Sequence, residues 1–192
     1  MSTRGALVFV AGGVEKITFN HFDSYPSGLG HNVAAFAAMM VKEDRVDEFR
    51  EKAVKLKNPT GRPSQLHEEQ QGKPELILNT GVHPLTDSTW MADSLFNEWS
   101  YVINWDLEVV EVYKGFQDEP HTKGRWASLP YDAPNHRKDK PREYWPVALI
   151  RSTSFYSAFL IEAITLPEET LPDIASFTDG THDLSEAAGK MA

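Results

Sequence analysis

The residues Asn20-His21-Phe22-Asp23-Ser24-Tyr25 bring an imidazole, a carboxylate and a phenol into one short stretch. Side chains of an extended chain repeat every two residues, so His21 and Asp23 are expected on one side, where the carboxylate raises the imidazole pKa and fixes its tautomer. In a catalytic reading His21 is the general base, Asp23 its orienting partner, and Tyr25 a proton donor or positioning group. The structural alternative uses the same residues differently. Asp23 caps the turn, His21 satisfies a backbone group and Tyr25 packs on the Pro26 ring, because polar side chains commonly complete turn backbones.

Ser27-Gly28-Leu29-Gly30 follows at once and leads into an apolar, helix-forming run from Asn32. Such a mouth presents unpaired N–H groups and the positive end of a helix dipole, the elements of an oxyanion or phosphate cradle. It is not a phosphate loop, since no Gly-Lys-Ser/Thr follows, and Gly28-x-Gly30-x-x-Val33 lacks the third glycine of the dinucleotide fingerprint. The candidate ligand-binding residues are Asn20, Ser27, Gly28, Gly30 and His31. The expected ligand is a small anionic or amide-containing metabolite, and the reaction, if one occurs, hydrolysis or group transfer.

Other candidates carry less. Seven histidines are present, but none forms a helical His-Glu-x-x-His pair, and the absence of cysteine removes thiolate zinc sites, so neither a metal nor a cofactor is expected. Ser152, Ser154 and Ser157 do not lie in a Gly-x-Ser-x-Gly elbow. Loss of Met1 would expose Ser2 as an N-terminal nucleophile, a device the retained Met1 argues against. The basic run Arg137-Lys138-Asp139-Lys140-Pro141-Arg142 offers phosphate contacts, although such runs in polar loops are usually solvated.

The elements that must position these groups follow from periodicity. Ala6 to Val10 and Glu15 to His21 flank Gly12-Gly13 and predict a β-hairpin, with Ile17 and Phe19 opposed to Lys16, Thr18 and Asn20. The run from Asn32 to Val41 predicts a central buried helix. A second helix is expected over 45–56, with Asp44 as N-cap and Val46, Phe49, Ala53 and Leu56 on its apolar stripe. Residues 57–75 read as a polar insertion, and Trp99 to Tyr113 as a second hairpin. A long surface loop is expected over 117–143, a strand over 147–150, and a helix within 155–164.

Composition sets the outer limits. The chain has 192 residues, 41% of them hydrophobic and 21 aromatic, enough for one buried core and incompatible with disorder throughout. Its net charge of −9 repels phosphate backbones at long range, which excludes a DNA packager and disfavours nucleic acid as a partner. Most of that charge lies at one end. Beyond Arg151 a single lysine faces seven carboxylates, so 167–192 is expected to be an acidic C-terminal extension. The longest apolar stretch, Val33 to Val41, is far shorter than the roughly 20 residues that cross a bilayer, so no membrane is expected as a partner. The absence of cysteine fits a cytoplasmic location.

The loop Phe19-Asn20-His21-Phe22-Asp23-Ser24-Tyr25-Pro26-Ser27-Gly28-Leu29-Gly30, preceded by Met1-Ser2-Thr3-Arg4-Gly5, resembles a family of uncharacterised proteins of actinobacterial tailed phages. Similar loops occur in bacterial and fungal hypothetical proteins. The Trp99 to Tyr113 hairpin is more loosely similar. The resemblance implies a phage origin and action in a host cytoplasm, and it brings no catalytic roles with it.

The sequence therefore predicts an α+β domain over 1–166, in which a mainly antiparallel sheet of hairpins packs on a central buried helix. Its expected function is small-ligand binding, or hydrolase- or transferase-like chemistry, at the 20–31 loop. The alternative is a non-enzymatic phage accessory protein that binds a host protein.

Overall fold

The computed structural model describes residues 3–60, 65–92, 94–130 and 144–166. The basic run at 137–142, the extension 167–192 and Ser2 lie outside them, so the expectations placed there are not addressed.

The first hairpin pairs β1 (Gly5–Ala11) with β2 (Val14–Asn20), turning at Gly12 and Gly13, which both take positive φ. A short π-helical turn, Pro26–Gly30, leads into α1 (His31–Lys42), followed by α2 (Val46–Lys55), α3 (Gln65–Gln70) and α4 (Pro74–Thr80). After a 3₁₀ turn at Ser88–Ala92 come β3 (Trp99–Asn104), β4 (Val109–Lys114), β5 (Ala148–Ser154) and α5 (Leu160–Thr165).

The five strands form one mixed sheet in the order β2-β1-β3-β4-β5. Three pairings are antiparallel, as the hairpin pattern predicted, but β1 and β3 run parallel. The reason is the connection. The chain leaves β2, passes through four helices, and returns beside β1 in the same direction, as a crossover requires. β1 is therefore central and buried on both faces, which is why its sequence reads as an apolar run without alternation.

Odd positions of β1 face the helices and even ones face away. Leu7, Phe9 and Ala11 join Tyr101, Ile103, Trp105, Val110 and Val112 beneath α1, α2, α4 and α5. Ala6, Val8 and Val10 join Ile17, Val102, Tyr113 and Val147 on the second face. No described α-helix supplies core residues there. The face is covered instead by Met91, Trp90, Leu129 and Trp126, the last with its ring tilted against Tyr113 at 4.5 Å. Residues 117–130, expected as a surface loop, are thus a strap over the sheet.

A buried polar network ties that strap down. Glu111 accepts hydrogen bonds from Asn104 Nδ2 (2.8 Å), the Tyr113 hydroxyl (2.8 Å) and Arg125 Nε (3.2 Å) and Nη2. Arg125 also donates to Glu15 (2.9 Å), as does the indole of Trp126 (3.1 Å). Burial opposes the Arg125 charge, but the bonds to Glu111 and Glu15 outweigh it and hold the guanidinium above its usual range.

Two local expectations are corrected. Asp44 does not cap α2: it takes a left-handed φ of 54°, and Arg45 occupies the N-cap without a side-chain cap. The strand predicted at 147–150 continues to Ser154, and the helix predicted within 155–164 begins only at Leu160. Between them Ser154 Oγ accepts from Tyr156 N–H and Ser157 Oγ from Phe159 N–H, so two of the three serines considered as nucleophiles build this turn.

Candidate functional site

The parity of β2 decides where the early loop sends its side chains. Ile17 and Phe19 face the second side of the sheet, Phe19 edge-on to Trp90 at 4.7 Å. Lys16, Thr18 and Asn20 face the helices. Lys16 Nζ donates to the carbonyls of Val54 and Leu56, and its burial lowers the ammonium pKa. His21 continues the Phe19 parity. Its ring stands edge-on to Phe19 at 4.3 Å and against Phe22 at 5.7 Å, and the His21 backbone N–H donates to Gln71 Oε1 (3.0 Å).

Asp23 was expected to follow His21 to the same side, but the strand ends at Asn20 and Asp23 adopts a φ of 52°. This left-handed step turns the chain back toward the helix layer. A cleft of about 330 Å³ opens there, lined by Asn20, Phe22, Asp23, Tyr25, Ser27 and Gly28 on one side. Glu68, Glu69, Gln71, Gly72 and Lys73 line the other side. The structure thus brings Asn20, Asp23, Tyr25, Ser27 and Gly28 together. It places His21 outside the lining, against Phe19. His31 lines a neighbouring groove of about 530 Å³ between α1 and α4, which shares Asn32, Gly72 and Lys73 with the cleft.

The loop's amides have other duties than cradling an anion. Gly28 N–H and Gly30 N–H donate to the Tyr25 carbonyl, Leu29 N–H to the Asp23 carbonyl, and His31 N–H to the Gly28 carbonyl. The donors expected at the helix mouth are therefore taken up within the π-helical turn. The glycines have a packing reason as well. A Cβ on Gly28 would lie 2.2 Å from the Asp23 carbonyl oxygen, and one on Gly30 2.9 Å from the Tyr101 ring. Tyr101, fully buried, donates its hydroxyl to the Ser24 carbonyl (3.1 Å), and burial pushes that phenol well above its normal pKa.

Asn20 is the fixed point of the floor. It is 4% exposed, and its Nδ2 donates to the Phe22 carbonyl (2.5 Å) and to Ser24 Oγ (2.8 Å). These two bonds set the orientation of the amide and leave Oδ1 on the side of Gly72. Gly72 has a φ of 68°, and a Cβ there would stand 3.4 Å from Asn20 Oδ1. Asn32 Nδ2 holds the Gly72 carbonyl at 3.1 Å. Among the described residues Asn20 Oδ1 accepts no hydrogen bond.

The second wall comes from the segment read as a polar insertion, and it is anchored from beneath. His83, 3% exposed, lies 3.0 Å from Gln70 Oε1 through Nδ1, and Gln70 Nε2 donates to Thr80 Oγ1. Because Gln70 commits its amide group to Thr80, its oxygen accepts, and the neutral His83 carries its proton on Nδ1. Burial, then the neighbouring His67, lowers the His83 pKa to about 4.

The sequence missed Glu68, Glu69, Gln71, Gly72 and Lys73. The available signal was the run Glu-Glu-Gln-Gln-Gly-Lys-Pro itself, where a glycine and a proline separate two short helical stretches. Among the described residues no cluster of three or more histidines or carboxylates is placed to hold a metal ion. No described helix is long and apolar enough to cross a membrane. No protein-family model matches the chain, and neither a curated protein nor a solved structure shows significant similarity to it.

Proposed function

We propose that the protein is a small-molecule binding domain whose site is the cleft between the 20–32 loop and the 68–73 segment. The observation that carries this reading is Asn20 Oδ1, an acceptor on an almost fully buried side chain, locked in orientation and left without a donor. Held in place and open to the cleft, this acceptor is positioned to receive an N–H or O–H group of a bound molecule. Of the two ligand chemistries expected from the sequence, the amide-containing one fits this acceptor, whereas the amides that would hold an anion are engaged in the turn.

Binding is favoured over turnover because the proposed base and its partner diverge, His21 toward Phe19 and Asp23 toward the cleft. A hydrolase or transferase at this site would rely on Asp23 and Tyr25. The resemblance of the 19–30 loop to phage proteins supports a role in a host cytoplasm. The test is to titrate the full chain with small carboxamides, amines, alcohols and carboxylates while following its amide resonances. Ligands of this site shift Gly72, Tyr25 and the Asn20 side chain together, and binding confined to other surfaces contradicts the reading.

A second reading, a non-enzymatic accessory protein that engages a host protein, draws on Tyr156 and Phe159, which are 57% and 69% exposed in the turn before α5. It expects a host-protein complex that Tyr156→Ser with Phe159→Ser abolishes and that Gly72→Ala leaves intact.

A further inference from the structure

The cleft is rich in acceptors. Three carboxylates, Asp23, Glu68 and Glu69, line it against one cation, Lys73. The carboxylates of Asp23 and Glu68 make no hydrogen bond or ion pair among the described residues. Gln71 has given its oxygen to the His21 backbone N–H. At the rim stand two aromatic rings, Phe22 at 60% and Tyr25 at 40% exposure.

A carboxylate cluster alone says nothing about a ligand, since such groups are content in water. Here the floor adds an independent constraint. Asn20 is 4% exposed, and its Oδ1, fixed in orientation and accepting no hydrogen bond among the described residues, is open to the cleft and free to take a donor there. A ligand that meets this acceptor while surrounded by net negative charge gains most if its donors are themselves cationic, because charge-assisted hydrogen bonds are shorter and stronger than neutral ones. The same charge repels an anion, and the exposed ring faces attract a cation through their quadrupoles.

We infer that the cleft takes a small organic cation, an aliphatic amine or guanidinium, with one N–H donated to Asn20 Oδ1 and the charge facing Asp23 and Glu68. A volume of about 330 Å³ suits a ligand of metabolite size, at the lower end of small-molecule sites. This rests on the cleft being a binding site, as proposed above, and adds the charge of the ligand. It also accounts for Gly72: any side chain there would stand in front of the acceptor that the ligand must reach.

The test uses three probes of matched chain length on the full-length protein: 1,5-diaminopentane, glutaramide and glutarate, each titrated by calorimetry at low and at high salt. The expected result is binding of the diamine, weakening as salt rises, with no measurable binding of glutarate. Asp23→Asn and Glu68→Gln, which keep shape and remove charge, are each expected to weaken the diamine about threefold to fivefold while leaving the melting temperature in place. Binding of glutaramide or glutarate in preference to the diamine, competed away by Gly72→Ala, overturns the cationic assignment but retains the cleft as a site. Failure of all three probes overturns both.

Discussion

The anchor beneath the cleft makes stability depend on a single imidazole. His83 is neutral in the folded protein, with its pKa lowered to about 4, whereas an unfolded histidine takes a proton below about 6.5. Between those values the unfolded chain binds more protons than the folded one, so the stabilisation is fully present above the unfolded value and is lost as pH falls toward the folded one. The gap between the two values corresponds to about 3 kcal/mol in total, of which about 2 kcal/mol disappears between about pH 7 and about pH 5. His83→Asn keeps a donor near the Nδ1 position, facing Gln70 Oε1, and cannot titrate. Urea unfolding of both proteins across this range isolates the imidazole, because every other titratable group is common to the two. The wild type is expected to lose about 2 kcal/mol more than the variant on acidification. Equal slopes would refute the argument, and a steeper slope in the variant would reverse its sign. The consequence reaches the site: His83 holds Gln70, and Gln70 belongs to the helix that carries Glu68 and Glu69.

Gly72→Ala combines a left-handed φ, costing about 1 to 2 kcal/mol, with a methyl placed before Asn20 Oδ1. It is expected to lower the melting temperature modestly and to abolish the Asn20 contact, with ligand affinity falling about tenfold in calorimetry. Glu111→Gln breaks the buried pair with Arg125 and is expected to cost about 3 kcal/mol in chemical denaturation, near the lower end for such pairs because the remaining carbonyl oxygen still accepts from Asn104 and the new amide group donates to the Tyr113 hydroxyl. Limited proteolysis within 117–130 should accelerate in the same variant. Asp106 accepts from Gly12 N–H (2.9 Å) and Gly13 N–H (2.7 Å), and these bonds lower its pKa. Its contribution is present above the unfolded carboxylate value and is lost as pH falls through the folded one, so Asp106→Ala, expected to cost about 1 kcal/mol near neutral pH, becomes neutral in acid.

What the sequence revealed of the fold follows from how strongly each segment is patterned. Both hairpins were legible because Gly12-Gly13 marks the first turn and Tyr101, Ile103 and Trp105 alternate with Val102, Asn104 and Asp106 in the second strand pair. α1 was legible from its continuous helix-forming run. The parallel β1–β3 pairing was not, because an apolar run such as Ala6 to Val10 shows burial on both faces without naming its neighbours. Trp126 escaped notice as core because one tryptophan in a polar stretch has no period, yet the uncovered face of the sheet required something large and apolar.

The site divides in the same way. The 20–31 loop was found from its density of functional side chains, and five of the eight candidates, Asn20, Asp23, Tyr25, Ser27 and Gly28, line the cleft. Asp23 was misplaced relative to His21 by extending the strand alternation three residues past Asn20, to a left-handed step that no sequence rule anticipates. The second wall was hidden because a polar segment gives no sign of which partner it will face. Only the fold brings Gly72 within reach of Asn20, more than fifty residues earlier in the chain.

The most direct measurement is the side-chain amide signal of Asn20 in a ¹H–¹⁵N spectrum of the full chain as 1,5-diaminopentane is added. A donor arriving at Oδ1 is expected to move both Nδ2 protons and the Gly72 amide along one saturable curve, and Asp23→Asn should shift the midpoint of that curve to higher diamine concentration. If those signals stay fixed while resonances elsewhere move, Asn20 Oδ1 is not the point of contact and the cleft is not the binding site.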